Sequence, residues 1–217
     1  MKIISVNIAT PKMISWRGKQ VKTGIYKKPV DTHINLGIED VVNDHVIDRR
    51  YHGGIEKACY LYALDHYEYW QKIYPDLDWH YGMFGENLTV EGFDEKTIKI
   101  GSIYRLGNAK VQISRPRQPC YKLGVRFGTQ KIVKQFINSN FSGVYVKVLE
   151  PGEVKSNDEL ILEKEPNEGI SIDELNTLLF HFEKEKHQDL GIKALNDMFV
   201  SESDKKYFRK KIETKYE

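Results

Sequence analysis

A twelve-residue stretch, ISRPRQPCYKLG (residues 113–124), places a single thiol among cations and prolines. Arg115, Arg117 and Lys122 surround Cys120, and two prolines restrict the backbone. Neighbouring cations stabilise the thiolate, which is the form that attacks electrophiles and binds metals. The pattern predicts a reactive or metal-binding cysteine. The alternative is an ordinary cysteine in a proline-rich loop whose cations face solvent.

A second cluster, DRRYHGGIEK (residues 48–57), is typical of a loop that binds a phosphate. Gly53 and its neighbouring glycine allow positive φ and a close approach of the backbone to a bound group. Arg49, His52 and Lys57 add side chains that bind anions. The alternative is a glycine turn between strands with solvated charges.

A third cluster, MFGENLTVEG (residues 83–92), holds two polar side chains between glycines. Glu86 and Asn87 could bind a polar heterocycle through paired hydrogen bonds. The alternative is an ordinary turn. No G-x-G-x-x-G, G-x-x-x-x-G-K-[ST], C-x-x-C or H-E-x-x-H pattern is present, so a dinucleotide site, a P-loop and the commonest zinc sites lack support.

The second cysteine has apolar surroundings. In ACYLYA, alternation puts Cys59, Leu61 and Ala63 on one face of a strand, with Tyr60 and Tyr62 on the other. This pattern favours a buried structural thiol.

Strand patterns dominate the first two-thirds of the chain, and only two helical patterns interrupt them. Many irregular strands with few helices favour a closed or nearly closed β-barrel. The predicted strands are 2–8, 19–27, 58–64, 102–114 and 143–151, with a hairpin turn predicted at the Gly-Asn pair of LGNA within the fourth. The predicted helices are 65–75 and 130–140.

The composition changes at the charged stretch EKEPNEGIS (163–171), which we interpret as a linker. Beyond it every pattern is helical, beginning with a Ser171…Glu174 capping box. Further helices are predicted over 188–199 and after Ser201. The sequence therefore predicts a mainly β domain with some α over residues 1–163 and a small three-helix bundle over residues 170–217.

Composition excludes several classes of function. The 217 residues carry a formal charge of +2, which does not indicate binding to a nucleic acid polymer or a membrane. No apolar run approaches the ~18–20 residues of a membrane-spanning helix, and the N-terminus lacks the features of a signal peptide. Two cysteines without a disulfide pattern suggest a reducing cytoplasm.

Taken together, the three clusters resemble the MOSC family (molybdenum cofactor sulfurase C-terminal domain). The matching segments are DRRYHGGIEKACYLYALDHYEYW, MFGENLTVEGFDE and ISRPRQPCYKLG. Residues 170–217 are similar to the three-helix domain appended in the stand-alone bacterial YiiM-type branch, so the resemblance covers nearly the whole chain. The sequence departs from that branch at Arg50 and Tyr51, where many relatives carry histidine before HGG.

The resemblance implies a MOSC-type β-barrel that binds the molybdenum–pyranopterin cofactor (Mo-molybdopterin), with Cys120 as the catalytic protein ligand to the metal. A thiolate suits this soft-ligand centre. The implied activity is reduction of small N-hydroxylated compounds, including hydroxylamino-purines, with electrons from a separate flavin reductase. The residues that we predict to bind the cofactor are Arg49, His52, Gly53, Lys57, Glu86, Asn87, Arg115, Arg117, Gln118 and Lys122.

Two other functions remain open on the sequence. The protein could store or deliver the cofactor, or transfer sulfur through Cys120, without turning over a small substrate. It could also be a cofactor-free thiol enzyme in which Cys120 is the nucleophile and His52 the base. The chain has no cysteine cluster for an iron–sulfur centre and no recognisable flavin motif, so a reductase of this kind would take its electrons from a partner.

Overall fold

The structure is a computed structural model that describes residues 1–47 and 53–213. It has a mixed α/β fold in which a large, mostly antiparallel sheet is covered by helices. The strands are β1 (Lys2–Ala9), β2 (Lys12–Trp16), β3 (Lys19–Thr23), β4 (Lys27–Pro29), β5 (Ile34–Leu36), β6 (Cys59–Ala63), β7 (Leu88–Glu91), β8 (Ile103–Leu106), β9 (Ala109–Pro116), β10 (Val144–Glu150), β11 (Gly152–Val154) and β12 (Leu160–Lys164). The helices are α1 (Asp65–Ile73), α2 (Tyr121–Arg126), α3 (Lys131–Ser139), α4 (Ile172–Phe180), α5 (Lys184–Asn196) and α6 (Glu202–Glu213), with a 3-10 turn at Ile55–Lys57.

The main sheet has eight strands in the order β12-β8-β9-β10-β6-β7-β1-β4. β6 and β7 run parallel, and the other neighbouring pairs are antiparallel. The first residue of β12 also bonds to the residue before β1, since the Leu160 amide donates to the Met1 carbonyl at 2.9 Å. Within the described residues no ladder pairs β12 with β4, so the predicted closed barrel is not confirmed.

The predicted alternation in the strand around Cys59 is confirmed. Cys59, Leu61 and Ala63 belong to one core cluster, and Tyr60 and Tyr62 belong to a second, aromatic cluster. All five side chains are buried because both faces of β6 are covered. Burial raises the pKa of the Cys59 thiol, which keeps it protonated and unreactive.

The hairpin predicted from the Gly-Asn pair is confirmed as β8 and β9, with Leu106 opposite Ala109. Gly107 takes a φ of +54° in the turn, a conformation that glycine adopts at little cost. The structure adds a short helix that the sequence analysis does not predict, α2, which starts directly after Cys120. It has six residues and contains Gly124, so it shows too little periodicity to be recognised.

The predicted C-terminal helices are present, and α4 begins with the full capping box between Ser171 and Glu174. α5 starts at Lys184, four residues before the predicted start at 188. The helices share one hydrophobic core with the sheet, since Leu175, Ala194 and Phe208 lie in the same cluster as the strand residues. The division into domains 1–163 and 170–217 stays a prediction. In the part of the chain that the structure describes, no helix is both long and apolar enough to span a bilayer.

Candidate functional site

One cavity collects six of the predicted site residues. The space between its walls, including its open mouth, is about 650 Å³. Its walls come from the start of α2, the strands β6 and β10, and the segments around residues 24 and 46. The predicted residues that line it are Gly53, Lys57, Asn87, Arg117, Cys120 and Lys122.

Cys120 is positioned by the chain that links β9 to α2. Pro116 is the last residue of β9, and Pro119 directly precedes the cysteine. Cys120 is extended, with φ −128° and ψ 173°, and it is the last residue before α2. Its carbonyl accepts a hydrogen bond from the Leu123 amide at 3.0 Å, which closes the first turn of the helix. The thiol is partly exposed and lines the cavity.

Arg117 is a buried cation at the cavity wall. It is 5% exposed, and its guanidinium carbon lies 5.1 Å from the Tyr60 ring centre and 5.5 Å from that of Phe136. Burial would lower the pKa of Arg117, but the phenols of Tyr60 and Tyr145 and the thiol of Cys120 hold it above its usual value. Among the described residues, its buried Nη1 atom has no hydrogen-bond partner. A guanidinium with an unsatisfied N–H in a cavity is a binding group for an anion.

Two lysines add positive charge to the same cavity. Lys122 is 8% exposed and has no ion-pair partner among the described residues. Lys57 lies with its Nζ 5.9 Å from the Tyr145 ring centre. Burial and the nearby Arg115 lower the pKa of Lys57, while Asp204 opposes that change.

The structure places Arg115 outside the cavity lining, although the sequence predicts it to bind cofactor. Its Nη2 atom donates to both carboxylate oxygens of Asp204 at 3.2 Å. Asp204 lies in the first turn of α6, which packs near the end of β9. This arginine is therefore used in a contact between the sheet and the C-terminal helices.

Asn87 lines the cavity, but its amide is used within the protein. Its Nδ2 donates to Asp44 at 2.9 Å, and its Oδ1 accepts from the Tyr60 amide at 3.3 Å. Asp44 also forms a buried ion pair with Lys27, another residue of the cavity wall. Burial alone would raise the pKa of Asp44, but Lys27, Asn87 and the Ala9 amide hold it below its usual value.

Glu86, predicted as a cofactor contact, is fully buried and lies outside the cavity lining. It accepts hydrogen bonds from the Gly82 amide at 2.7 Å, the Phe84 amide at 3.1 Å and the Tyr67 hydroxyl. Burial raises the pKa of Glu86 in spite of these donors. The structure thus assigns Glu86 to the turn that precedes β7.

The remaining predicted residues are Gln118, Arg49 and His52. Gln118 is exposed and does not line it. Arg49 and His52 lie outside the described residues, as do Arg50 and Tyr51.

Several lining residues have no signal in the local sequence. Lys27 and Tyr145 look like other lysines and strand tyrosines, and only the fold brings them to the cavity. Position 24 requires glycine because the His45 backbone approaches it closely. A Cβ at that position would overlap the His45 carbonyl oxygen. The predicted strand 19–27 includes residue 24, so its place in the cavity wall was not predicted. A glycine within a strand pattern is the signal that could have found it.

The cavity thus combines a soft sulfur donor with cations and aromatic rings. Such a set can hold an anionic ligand and present a thiol to it. Within the described residues, no three His, Cys, Asp or Glu side chains converge as a metal site.

Comparison with known proteins adds a family match. The model of the MOSC domain matches residues 48–161. The uncharacterized protein YflK of Bacillus subtilis (strain 168) is 34% identical over 209 residues, which span 96% of this chain and 93% of YflK. A protein named Reductase from Gibberella moniliformis (strain M3125 / FGSC 7600) is 32% identical over 153 residues, which span 69% of this chain and 27% of that protein.

A solved structure matches the whole fold. The crystal structure of YiiM from Geobacillus stearothermophilus superposes with a TM-score of 0.79 at 29% sequence identity. The match covers 97% of this chain and 98% of that chain, so it includes the C-terminal helices as well as the sheet.

Proposed function

The chain belongs to the MOSC domain family, and from that premise we propose that it is a molybdenum-cofactor-dependent oxidoreductase. Its proposed substrates are small N-hydroxylated compounds, such as hydroxylamino-purines. The proposed electron donor is a separate flavin reductase, and the proposed location is the cytoplasm. A relative that carries the name Reductase supports redox chemistry of some kind.

The observation that carries this proposal is the pairing of Cys120 with Arg117 in one cavity. A molybdenum–pyranopterin cofactor presents a metal held by soft dithiolene sulfurs, and a phosphate. Cys120 offers a sulfur donor, and Arg117 has a buried N–H without a hydrogen-bond partner among the described residues. A buried donor of this kind is costly unless a ligand or water satisfies it. The residues present therefore fit the group.

The proposal assigns roles to five residues that line the cavity. Cys120 would bind the metal, and Arg117 and Lys122 would bind the phosphate. Gly85, with a φ of +79°, lines the cavity without a side chain and leaves room for a flat ring system. Asn87 would act indirectly, because its amide holds Asp44 and the Tyr60 backbone in place.

When bound, the cofactor supplies two-electron oxygen-atom chemistry. Reduction of R–NH–OH to R–NH2 consumes two electrons and two protons and releases one water. Lys57 is a suitable proton source within the chain, because burial and Arg115 lower the pKa of its ammonium. An ammonium with a lowered pKa gives up its Nζ proton more readily than an exposed lysine does.

The test compares protein from a host that makes the cofactor with protein from a host that does not. Molybdenum, pterin and the reduction of an N-hydroxylaminopurine by a reduced flavin reductase are measured on both samples. We expect stoichiometric molybdenum and turnover only in the first sample. Bound cofactor without turnover on any N-hydroxylated substrate would favour the carrier or sulfur-transfer function. Turnover by metal-free protein would refute the proposal.

A further inference from the structure

The hairpin formed by β2 and β3 stands apart from the main sheet. Its two strands pair only with each other, from Lys12 opposite Thr23 to Trp16 opposite Lys19. The turn between them has a φ of 48° at Arg17 and 75° at Gly18, which is the primed geometry of a two-residue hairpin. No strand ladder in the described residues joins this hairpin to the sheet. Side-chain contacts must therefore hold it in place.

These contacts reach both ends of α2. At the first residue of α2, the Tyr121 ring stacks on Trp16 with 4.7 Å between ring centres and 22° between planes. At its last residue, the guanidinium carbon of Arg126 lies 4.7 Å from the ring centre of Tyr26, just after β3. The Nζ of Lys12 in β2 lies 5.1 Å from the same ring centre. We call these contacts the hairpin clasp.

The clasp joins two walls of the functional cavity. Thr23, Gly24 and Ile25, at the base of the hairpin, line the cavity together with Cys120 and Lys122 at the start of α2. The distance between these walls decides how much of the thiol a ligand can reach. The hairpin precedes the matched MOSC region at 48–161, and residues at its base line the same cavity.

We infer that Trp16 is a positioning residue, which holds the hairpin against α2 and thereby limits access to the Cys120 thiol. Trp16 is partly exposed on a hairpin whose tip lies outside the core, and its ring stacks on Tyr121 of α2. Loss of a stacked aromatic pair changes a closed-to-open ratio by roughly two- to twelvefold. The inference concerns the thiol itself and holds whether or not the proposed function is correct.

The experiment measures alkylation of Cys120 in the full chain with a small reagent, iodoacetamide, and a bulky maleimide. Peptide mass spectrometry separates Cys120 from the buried Cys59. We expect Trp16→Ala to accelerate labelling of Cys120 by about two- to twelvefold, and more with the bulky reagent than with the small one. Trp16→Phe keeps an aromatic ring against Tyr121 and is expected to restore the parent rate.

Met13→Ala is the matched control, because Met13 is 59% exposed on the same hairpin and is not part of the clasp. We expect this variant to label at the parent rate. Should Trp16→Ala fold poorly, Trp16→Leu keeps an apolar side chain without the ring stack and is expected to show the same acceleration. Labelling at the parent rate in folded Trp16→Ala and Trp16→Leu, or equal acceleration in Met13→Ala, would overturn the inference. All variants are labelled as protein from a host that does not make the cofactor, because a metal bound to Cys120 would itself block the reagent.

Discussion

Arg115 and Arg117 are two residues apart, yet they belong to two different regions of the molecule. Arg115 lies where the sheet meets the C-terminal helices, and Asp204 of α6 binds it through both oxygens at 3.2 Å. Arg117 lies in the cavity, against Tyr60 and Phe136, with a buried Nη1 that has no partner among the described residues. A carboxylate of the chain compensates the first arginine, whereas the second keeps a donor without a partner among the described residues.

The presence or absence of a carboxylate partner separates structural cations from cations that a ligand can bind. A buried charge must be compensated, so a carboxylate of the same chain marks a structural contact. The cavity contains both kinds, because Lys27 is paired with Asp44 whereas Lys122 has no ion-pair partner in the described part of the chain. Positive charge in the cavity thus serves the fold at Lys27, and we propose that it serves ligand binding at Arg117 and Lys122.

The strongest test concerns the thiol that this cavity presents. Cys120→Ser is expected to abolish N-hydroxyl reduction and leave the fold intact, because a hydroxyl is a harder donor with a far higher pKa than a thiol. The measurements are molybdenum content, turnover and the circular dichroism spectrum, with Cys59→Ser as the matched control. Undiminished turnover in Cys120→Ser would show that the Cys120 thiol in the cavity is not catalytic.

The next largest effect is expected on stability, when the ion pair between Lys27 and Asp44 is broken. Asp44→Asn leaves Lys27 buried without its carboxylate and is expected to reduce the free energy of unfolding by about 3–5 kcal/mol at pH 7. The double variant Lys27→Met with Asp44→Leu removes both charges and is expected to lose much less. Urea unfolding of the three proteins measures both values. Equal losses in the single and double variants would contradict the structural role of the pair.

The same pair predicts a pH dependence. Because the folded protein lowers the pKa of Asp44, its contribution to stability is complete above the unfolded value of 3.8 and is lost as the pH falls further. We therefore expect parent protein to lose more unfolding free energy than Asp44→Asn between pH 6 and pH 3. Parallel pH profiles of the two proteins would contradict this assignment.

The two arginines can be compared directly by substitution. Arg117→Ala is expected to weaken cofactor retention by about 1.5–3 kcal/mol, which is roughly a 10- to 150-fold loss of affinity, since one charge-assisted contact is removed. Arg115→Ala is the matched control and is expected to affect stability through Asp204 with little change in retention. Pterin and molybdenum contents after identical purification measure the effect. A larger loss of cofactor in Arg115→Ala than in Arg117→Ala would show that Arg115, and not Arg117, is the arginine that binds the cofactor.

The smallest expected effect concerns the buried thiol. Cys59→Ala removes one sulfur from the core and is expected to cost on the order of 1 kcal/mol of stability. Cofactor content should remain that of the parent. Loss of molybdenum from a normally folded Cys59→Ala protein would show that the roles of the two cysteines had been exchanged.

Several features of this protein can be predicted from local sequence because local physics determines them. The alternation around Cys59 predicts a strand with two buried faces, and the Gly-Asn pair predicts the hairpin of β8 and β9. The capping box at Ser171 predicts the start of α4. Each involves contacts between residues close in the chain, so the spacing of residue types carries the information. The short helix α2 could not be predicted in this way, because six residues show no clear helical period.

Sequence alone determined the family and the three motifs, and it indicated Cys120 as the reactive cysteine. Only the tertiary structure decided which of the surrounding cations face the cavity. Asp204 lies 89 residues from Arg115, and Asp44 lies 17 residues from Lys27, so neither pair is visible as a local pattern. The physical reason is that compensation of a buried charge depends on distance in space. A motif therefore shows that cations are present, whereas the fold determines which of them a ligand can use.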